Sequence, residues 1–546
     1  MHPDQRLQPV LIVGGGPVGM VLALDLAMQG VRSVLVNTGE YSRWYPKGNG
    51  HNARTMEHYR RLGLAGRVRS AGLRPDQPTD ITYFTRIAGH RLARITMPSS
   101  LEATAAAARA PVTDQVPEPL HRGNQMYVER VLYDAILGTE NVDARFGWRC
   151  VAVEEHPDRV MTVLEQVSTG RSELVESAYL VGCDGGRSMV RDAIGAVLEG
   201  EGEFGTAFMQ GPMLTAHVRI PMFRDLVDRL GWMHFVVNPE LRATFGSLNG
   251  VDEFTFRTNR LTATTTDADI VRLAQLALGR RVDVEVLSRG EWTAAQALVA
   301  DRYGTDRIFL CGDSCHLFTP TGGFGMNTGI DDAANLAWKL AAMVQGWGGR
   351  QLLGSYQAER KPIGHRNTAA ARLLTQSLAA VPVPDEVEED SPAGRRARQR
   401  LGAVFGGFDQ EFASLGVQLG ARYDGSPVIV PDGTEPPPDD PHVYTPSACP
   451  GGRAPHVWLP GRSSIFDHFG RGFTLVRLGG TDEIDGLAEC ASARGWPLDT
   501  LGIDVPEARE LYGADYVLVR PDHHVAWRGG RLPDDLTKIL AIVTGQ

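Results

Sequence analysis

The residues best equipped for chemistry lie in three short segments far apart in the chain. Gly14, Gly16 and Gly19 form a G-x-G-x-x-G turn after an apolar strand over residues 10–13 and before a helix predicted over 17–30. The first glycine permits a tight turn, the second lets the backbone approach a pyrophosphate, and the third allows close helix–strand packing. The helix N-terminus, Pro17 and Val18, then faces the anion, so the segment predicts a dinucleotide site. A carboxylate is expected at the end of the next strand, 31–36, to accept from ribose hydroxyls. Asn37 stands there instead, a weaker neutral acceptor, and Glu40 three residues on is an alternative. The second segment starts at Cys183, with Asp184, Ser188 and Arg191 at D-G-x-x-S-x-x-R spacing. It reads either as a phosphate-supporting turn or as a structural turn bound by an Asp–Arg pair. The third holds Gly312, Asp313, His316, Pro320 and the run from Gly322 to Asn327, and continues through Asp331, Asp332, Asn335, Leu336, Trp338 and Lys339. Asp313, at a strand end, can accept from a ligand hydroxyl, cap the following segment, or do both. The N–H groups of Gly325, Met326 and Asn327 lead into a helix predicted over 331–344, whose positive end would stabilise an anion.

These segments need a scaffold that brings strand ends together. The strand–turn–helix–strand order at the N-terminus, with a further buried strand at 307–311, predicts a doubly wound parallel α/β sheet. Short strands at 213–220, 234–237, 242–248 and 253–258, mostly without helices between them, predict an antiparallel sheet packed as a second layer. The proline-rich, acidic stretch 381–392 reads as a solvated loop, and 436–441 as a linker. Strands at 473–478 and 516–520 belong to a separate α/β module. The expected division is 1–199 with 291–380 for the dinucleotide-binding domain, 200–290 for the antiparallel sheet with 75–120 contributing, 381–440 as a helical or linker segment, and 441–546 for the last module. No internal repeats are visible.

The chain of 546 residues is too long for one core. Its net charge of −10 argues against a nucleic-acid partner. No stretch approaches the roughly 20 apolar residues of a membrane span, and the polar N-terminus carries no signal peptide, so a cytoplasmic protein is expected. Six scattered cysteines form no CxxC or zinc spacing and read as reduced thiols; no metal site is expected.

The three segments, in this order and spacing, resemble the class A flavoprotein monooxygenases, which include para-hydroxybenzoate hydroxylase, phenol hydroxylase and the aromatic polyketide hydroxylases. The resemblance covers nearly the whole chain. It implies a glutathione-reductase-type FAD-binding domain, and non-covalent FAD held by Gly14, Gly16, Pro17, Val18, Gly19 and Asn37. It further implies Asp313 at a ribityl hydroxyl, Asp184 and Arg191 in a motif serving FAD phosphates and NAD(P)H, and the isoalloxazine beside Pro320, Gly325, Met326 and Asn327. Arg54 falls in an R-T-x-E-like segment, Lys47 in the glycine-rich loop before it, and Gln125 matches a glutamine that contacts FAD. Segments 452–459, 516–522 and 524–528 resemble the thioredoxin-like domain of phenol hydroxylase; without CxxC its implied role is structural or in oligomer contacts.

The implied reaction reduces FAD with transient NAD(P)H, adds O₂ to form a C4a-hydroperoxide, and hydroxylates a phenolic or hydroxy-heteroaromatic ring. His217, His234, Arg242 and Thr244, on the antiparallel strands, are the substrate-pocket candidates. No residue is an obvious catalytic base, and the substrate is not legible. An NAD(P)H oxidase or reductase without hydroxylation, and an FAD-stabilised scaffold, are the alternatives. A halogenase is disfavoured by the absence of a W-x-W-x-I-P segment.

Overall fold

The computed structural model describes residues 7–40, 46–201, 212–262, 264–293, 296–482, 484 and 487–546. Five cysteines are free thiols; the side chain of Cys490 lies outside the described residues.

Strand Gln8–Val13 pairs in parallel with Ser33–Asn37 on one side and Ser172–Gly182 on the other. Val142–Phe146 extends the sheet beyond Ser33–Asn37, and Ile308–Leu310 lies parallel to the C-terminal half of Ser172–Gly182. The N-terminal half of that strand carries an antiparallel extension, Val160–Gln166 and Trp148–Glu155. The first strand reads as a continuous apolar run because both its faces are covered. Helix Pro17–Met28 is apolar on nearly every side, and it is buried between this sheet and helix Phe324–Gln345. It stops two residues before the expected end, at Met28, and the chain turns through Gly30 at φ +77°.

The second sheet runs Glu285–Thr293, Pro212–Arg219, Glu253–Thr258, Arg242–Ser247, Met233–Val237, Ile81–Phe84, Arg91–Ile95. Every pairing is antiparallel except that of Met233–Val237 with Ile81–Phe84. Side chains alternate between its faces. One face, with Ala216, Val236, Ala243, Phe245, Phe254 and Phe256, packs beneath helix Asp267–Leu278. The other, with Thr215, Met233, Phe235 and Arg257, turns toward the parallel sheet.

Two expectations are corrected. The helix predicted over 331–344 begins at Phe324, since the glycine-rich run supplies its first turns after Gly322 and Gly323 reverse the chain at positive φ. The 381–392 stretch is not simply a solvated loop. It contains the turn Asp385–Glu388, with Val387 fully buried and Glu388 paired to Arg86, and helix Pro392–Gly406 follows.

The C-terminal sheet is ordered Leu498–Gly502, Phe473–Arg477, Tyr516–Val519, Val525–Gly529. A parallel strand–helix–strand unit, a helix, an antiparallel hairpin and a last helix give it a thioredoxin-like arrangement. It shares an apolar core with the long helix through Trp338, Ala342 and Trp347 against Phe473, Leu475 and Trp527.

Candidate functional site

All the parallel strands near the glycine turn end at one cavity of about 1080 Å³. Its wall takes Gly14, Asn37, Asp184 and Asp313 from positions at or just beyond four strand ends. This is the crevice at the carboxyl edge of an open α/β sheet where ligands bind.

The three glycines of the turn have distinct constraints. Gly14 sits at φ +114°, and a Cβ there would lie 2.1 Å from the Cys183 carbonyl oxygen. A Cβ on Gly19 would lie 2.0 Å from the Gly14 oxygen, so this glycine sets the close approach of helix and strand. A Cβ on Gly16 would meet no atom within 4 Å, and Gly16 lines the cavity. Gly16 is also the N-cap of Pro17–Met28, and no side chain caps that helix. A second helix, Phe324–Gln345, opens on the same cavity with N-cap Gly323 and again no side-chain cap. Two helix N-termini with free N–H groups therefore face one space.

The side chains around this end are braced. Asn37 accepts from the Gly15 N–H at 3.1 Å and donates to the Gly39 carbonyl, while Glu40 lines the cavity nearby. Asp184 accepts from Ser188 Oγ at 2.5 Å and from the Val190 N–H, holding the start of helix Met189–Ala193. Burial raises its carboxyl above the usual range against those hydrogen bonds. Arg191 is not its partner; it donates to the Gly186 and Ser314 carbonyls, so in place of the Asp–Arg turn, one of the two readings of the sequence, there are two separate braces. Asp313 opens onto the cavity, and its enclosure by protein raises its pKa while His316 and Lys47 pull it down. The turn that presents it is fixed by Asp332, which accepts from the Gly312 N–H, His316 Nε2 and Arg360 Nε. Asn327 ties the long helix to the 50–55 segment, accepting from Asn52 N–H and Thr55 Oγ1. Gln125 donates to Glu129 at 2.6 Å and both line the cavity, as do Lys47, Pro17, Val18, Pro320, Gly325 and Met326.

Arg54 is placed elsewhere. It lies behind the long helix, donating to Asp331 at 3.2 Å, to Glu57 at 3.1 Å and to the Asp522 carbonyl of the C-terminal module. Arg360 and His58 share Asp331, whose carboxyl they hold far below its ordinary pKa despite burial. Beside them Glu359 takes Lys339, Asn335, Ser426 and both terminal guanidinium nitrogens of Arg520. This buried ionic seam joins the long helix to the C-terminal module.

The substrate-pocket candidates do not reach the cavity wall. His234 is on the opposite face of its strand, fully buried against Phe84 and Phe223, with Thr82 Oγ1 at 2.7 Å. Burial and then Arg94 push its pKa down to about 3. His217 is on the cavity-side face but at its far end, bonded to Glu253 at 3.0 Å. Arg242 turns to the carbonyls of Leu378 and Val381. Thr244 lies in the ladder between Arg257 and Phe235 but is buried behind them. The wall beneath this sheet is formed instead by Thr215, Trp232, Met233, Phe235 and Arg257, closed by Arg122, Glu411 and Phe412. None of these stands in a recognisable motif. The period-2 pattern separated the two faces correctly, but polarity was a poor guide to which face meets the cavity.

The FAD binding domain family matches residues 8–371, and the aromatic-ring hydroxylase C-terminal family matches 447–546. The chain is 32% identical to the FAD-dependent monooxygenase apdD of Emericella nidulans, covering 100% of this chain and 91% of that one. It is 30% identical to a 4-methyl-5-nitrocatechol 5-monooxygenase of a Burkholderia species, covering 98% and 96%. Among solved structures, the rebeccamycin biosynthetic enzyme RebC with reduced flavin superposes with a TM-score of 0.87 at 34% identity, covering 98% of each chain.

Proposed function

This chain belongs to the FAD-dependent aromatic-ring monooxygenases, and we propose that it hydroxylates a phenolic or hydroxy-heteroaromatic substrate with NAD(P)H and O₂. The observation that carries this reading is the continuity of the cavity. One space joins the glycine turn and two uncapped helix N-termini to a chamber walled by Trp232, Phe235 and Phe412.

The residues present fit FAD held without a covalent bond. The Gly16 backbone and the N-terminus of Pro17–Met28 would take the pyrophosphate, in the space a Cβ would otherwise fill. Glu40, with Asn37 bracing the turn, would take the adenosine ribose; Asp313 would take a ribityl hydroxyl; Lys47, Gln125 and Asp184 would line the remainder. The N–H groups of Gly325, Met326 and Asn327 would stabilise negative charge on the ring system. When bound, FAD accepts a hydride and activates O₂; the chain orients the partners and limits water. The parallel sheet and its helices would form the cofactor domain, the antiparallel sheet the roof over the substrate, and the C-terminal module a brace on the long helix. Use of NAD(P)H is in keeping with a cytoplasmic enzyme.

The sequence holds one dinucleotide fingerprint, so NAD(P)H must reach the site transiently. Substrate can then gate reduction by favouring the reducible arrangement. Anaerobic stopped-flow reduction, with NADH or NADPH and with or without a phenol, tests this. An acceleration of about tenfold corresponds to roughly 1.4 kcal/mol of preference. Equal rates with and without every accepted phenol would remove the gating.

A further inference from the structure

The substrate end of the cavity contains a carboxyl with no structural task. Glu411, on the short helix Gln410–Ala413, lines the cavity beside Phe412. It is only 9% exposed, and its Oε2 has no hydrogen-bond partner among the described residues. A buried, unsatisfied carboxyl oxygen is costly and rare in folded proteins, and Glu411 belongs to the cavity lining, so its carboxyl calls for a ligand atom. Two groups face it from neighbouring elements. Arg122 stacks 4.2 Å from the centre of the Trp232 ring, donates to the Phe412 carbonyl and leaves its Nε unpartnered. Tyr83 stands in the strand behind Phe235, stacked on that ring at 4.8 Å, with its hydroxyl also unpartnered. Trp232, Phe235 and Phe412 give this end of the wall its aromatic surface, with Thr215, Met233 and Arg257 beside them.

On the reading of this chain as a phenol hydroxylase, we propose that Glu411 binds the ring hydroxyl of the substrate and accepts its proton, so that the site selects planar aromatics with an ionisable hydroxyl. In that step the phenolic O–H bond breaks and an O–H bond forms on the Glu411 carboxylate. The negative charge passes from the carboxylate to the ring oxygen, and Arg122 stays near both. The phenolate is the more electron-rich ring at its ortho and para carbons, as hydroxylation requires. Burial pushes the Glu411 carboxyl up to about 8 against the pull of Arg122, which brings it close to a phenol near 10 and suits it to proton exchange. The base form accumulates above that pH, so kcat/KM for a phenol should rise through about pH 8 and level off.

The test uses the FAD-loaded protein, its Glu411→Gln and Glu411→Asp variants, and three probes: phenol, 4-methyl-5-nitrocatechol and 1-hydroxyanthraquinone, each with its methyl ether. Binding is read from the flavin spectrum, and the Glu411 proton from the infrared carboxylic-acid band between pH 6 and 10. The wild type is expected to bind phenols about tenfold or more tightly than ethers, and to show an acid band lost with a midpoint near pH 8. Glu411→Gln should lose the preference, the band and the pH dependence; Glu411→Asp should keep the pH dependence. Equal binding of phenols and ethers by the wild type, or no acid band assignable to Glu411, overturns the proposal. Hydroxylation with an unchanged pH profile in Glu411→Gln overturns the role of Glu411 alone. Glu411-dependent phenol binding with only H₂O₂ formed overturns hydroxylation and keeps the role. Binding of no probe overturns both the role and phenols as the class.

Discussion

Alanine at Gly16 and alanine at Gly19 should break the protein in opposite ways. At Gly16 the backbone has φ −76° and ψ −178°, which any residue adopts, and the new Cβ meets no protein atom. The apoprotein should therefore fold with unchanged or slightly higher stability, up to about 1 kcal/mol from the stiffer unfolded chain. The methyl group occupies the space proposed for the pyrophosphate. If it displaces one or two charge-assisted hydrogen bonds of about 1.5–3 kcal/mol each, the FAD dissociation constant rises by about tenfold to a thousandfold or more. At Gly19 the Cβ would stand 2.0 Å from the Gly14 oxygen and 3.3 Å from the Cys183 Cβ, so the helix must move off the strand. Overpacking of this kind costs about 1–3 kcal/mol, and the cost falls on the apoprotein. Chemical denaturation of both apoproteins and titration with FAD, followed by flavin fluorescence, separate the two effects. Wild-type FAD affinity in Gly16→Ala, or apoprotein stability reduced equally by both changes, would refute the assignment of the phosphate site.

Three further outcomes are expected. Asp313→Asn should fold normally and lose about tenfold in FAD affinity, the value of one charged hydrogen bond; unchanged binding in an apoprotein titration would make Asp313 a part of the turn only. Arg520→Met leaves Glu359 and Asp522 buried without their main cation, and should destabilise the protein by about 3–5 kcal/mol in urea denaturation; a change under about 1 kcal/mol would mean that the seam between the long helix and the C-terminal module does not contribute to stability. Acid should weaken the fold through buried neutral histidines: burial holds His51 and His234 at about 3, and His121, His456 and His524 at about 4. Their unfolded value is about 6.5, so below that pH the unfolded chain takes up protons that the folded chain refuses, and stability falls from pH 6.5 toward 4. Stability that stays flat across this window would contradict those environments.

The glycine-turn half of the cavity was legible in the sequence because backbone geometry dictates it. Only glycine serves at φ +114° or where a Cβ would strike a carbonyl, so Gly14 and Gly19 announce a strand–helix turn without any tertiary information. Asp313 and the run to Asn327 are similarly local. Arg54 misled because an arginine near a phosphate site and an arginine in a buried seam look identical until Asp331, Glu57 and Asp522 are placed around it. The half beneath the antiparallel sheet was not legible. Its wall collects Arg122, Trp232, Phe235, Arg257 and Glu411 from four separate stretches, and each is an ordinary residue in its own segment. His234 drew notice as a polar residue on a strand, yet polarity is compatible with a buried face when Thr82 and the Gly231 N–H satisfy the ring. The helix start at Phe324 was missed because glycines usually end helices, whereas here Gly322 and Gly323 turn the chain into one.

The most direct measurement is the fate of oxygen. The FAD-loaded protein is supplied with NAD(P)H, ¹⁸O₂ and a panel of phenols, and the products are read by mass spectrometry with H₂O₂ measured alongside. Incorporation of one labelled oxygen atom into a phenol, with NAD(P)H consumed in equal amount and little H₂O₂, is the predicted result. NAD(P)H oxidised only to H₂O₂ with every ring in the panel, or a product oxygen drawn from water, would contradict hydroxylation of a phenol by this chain.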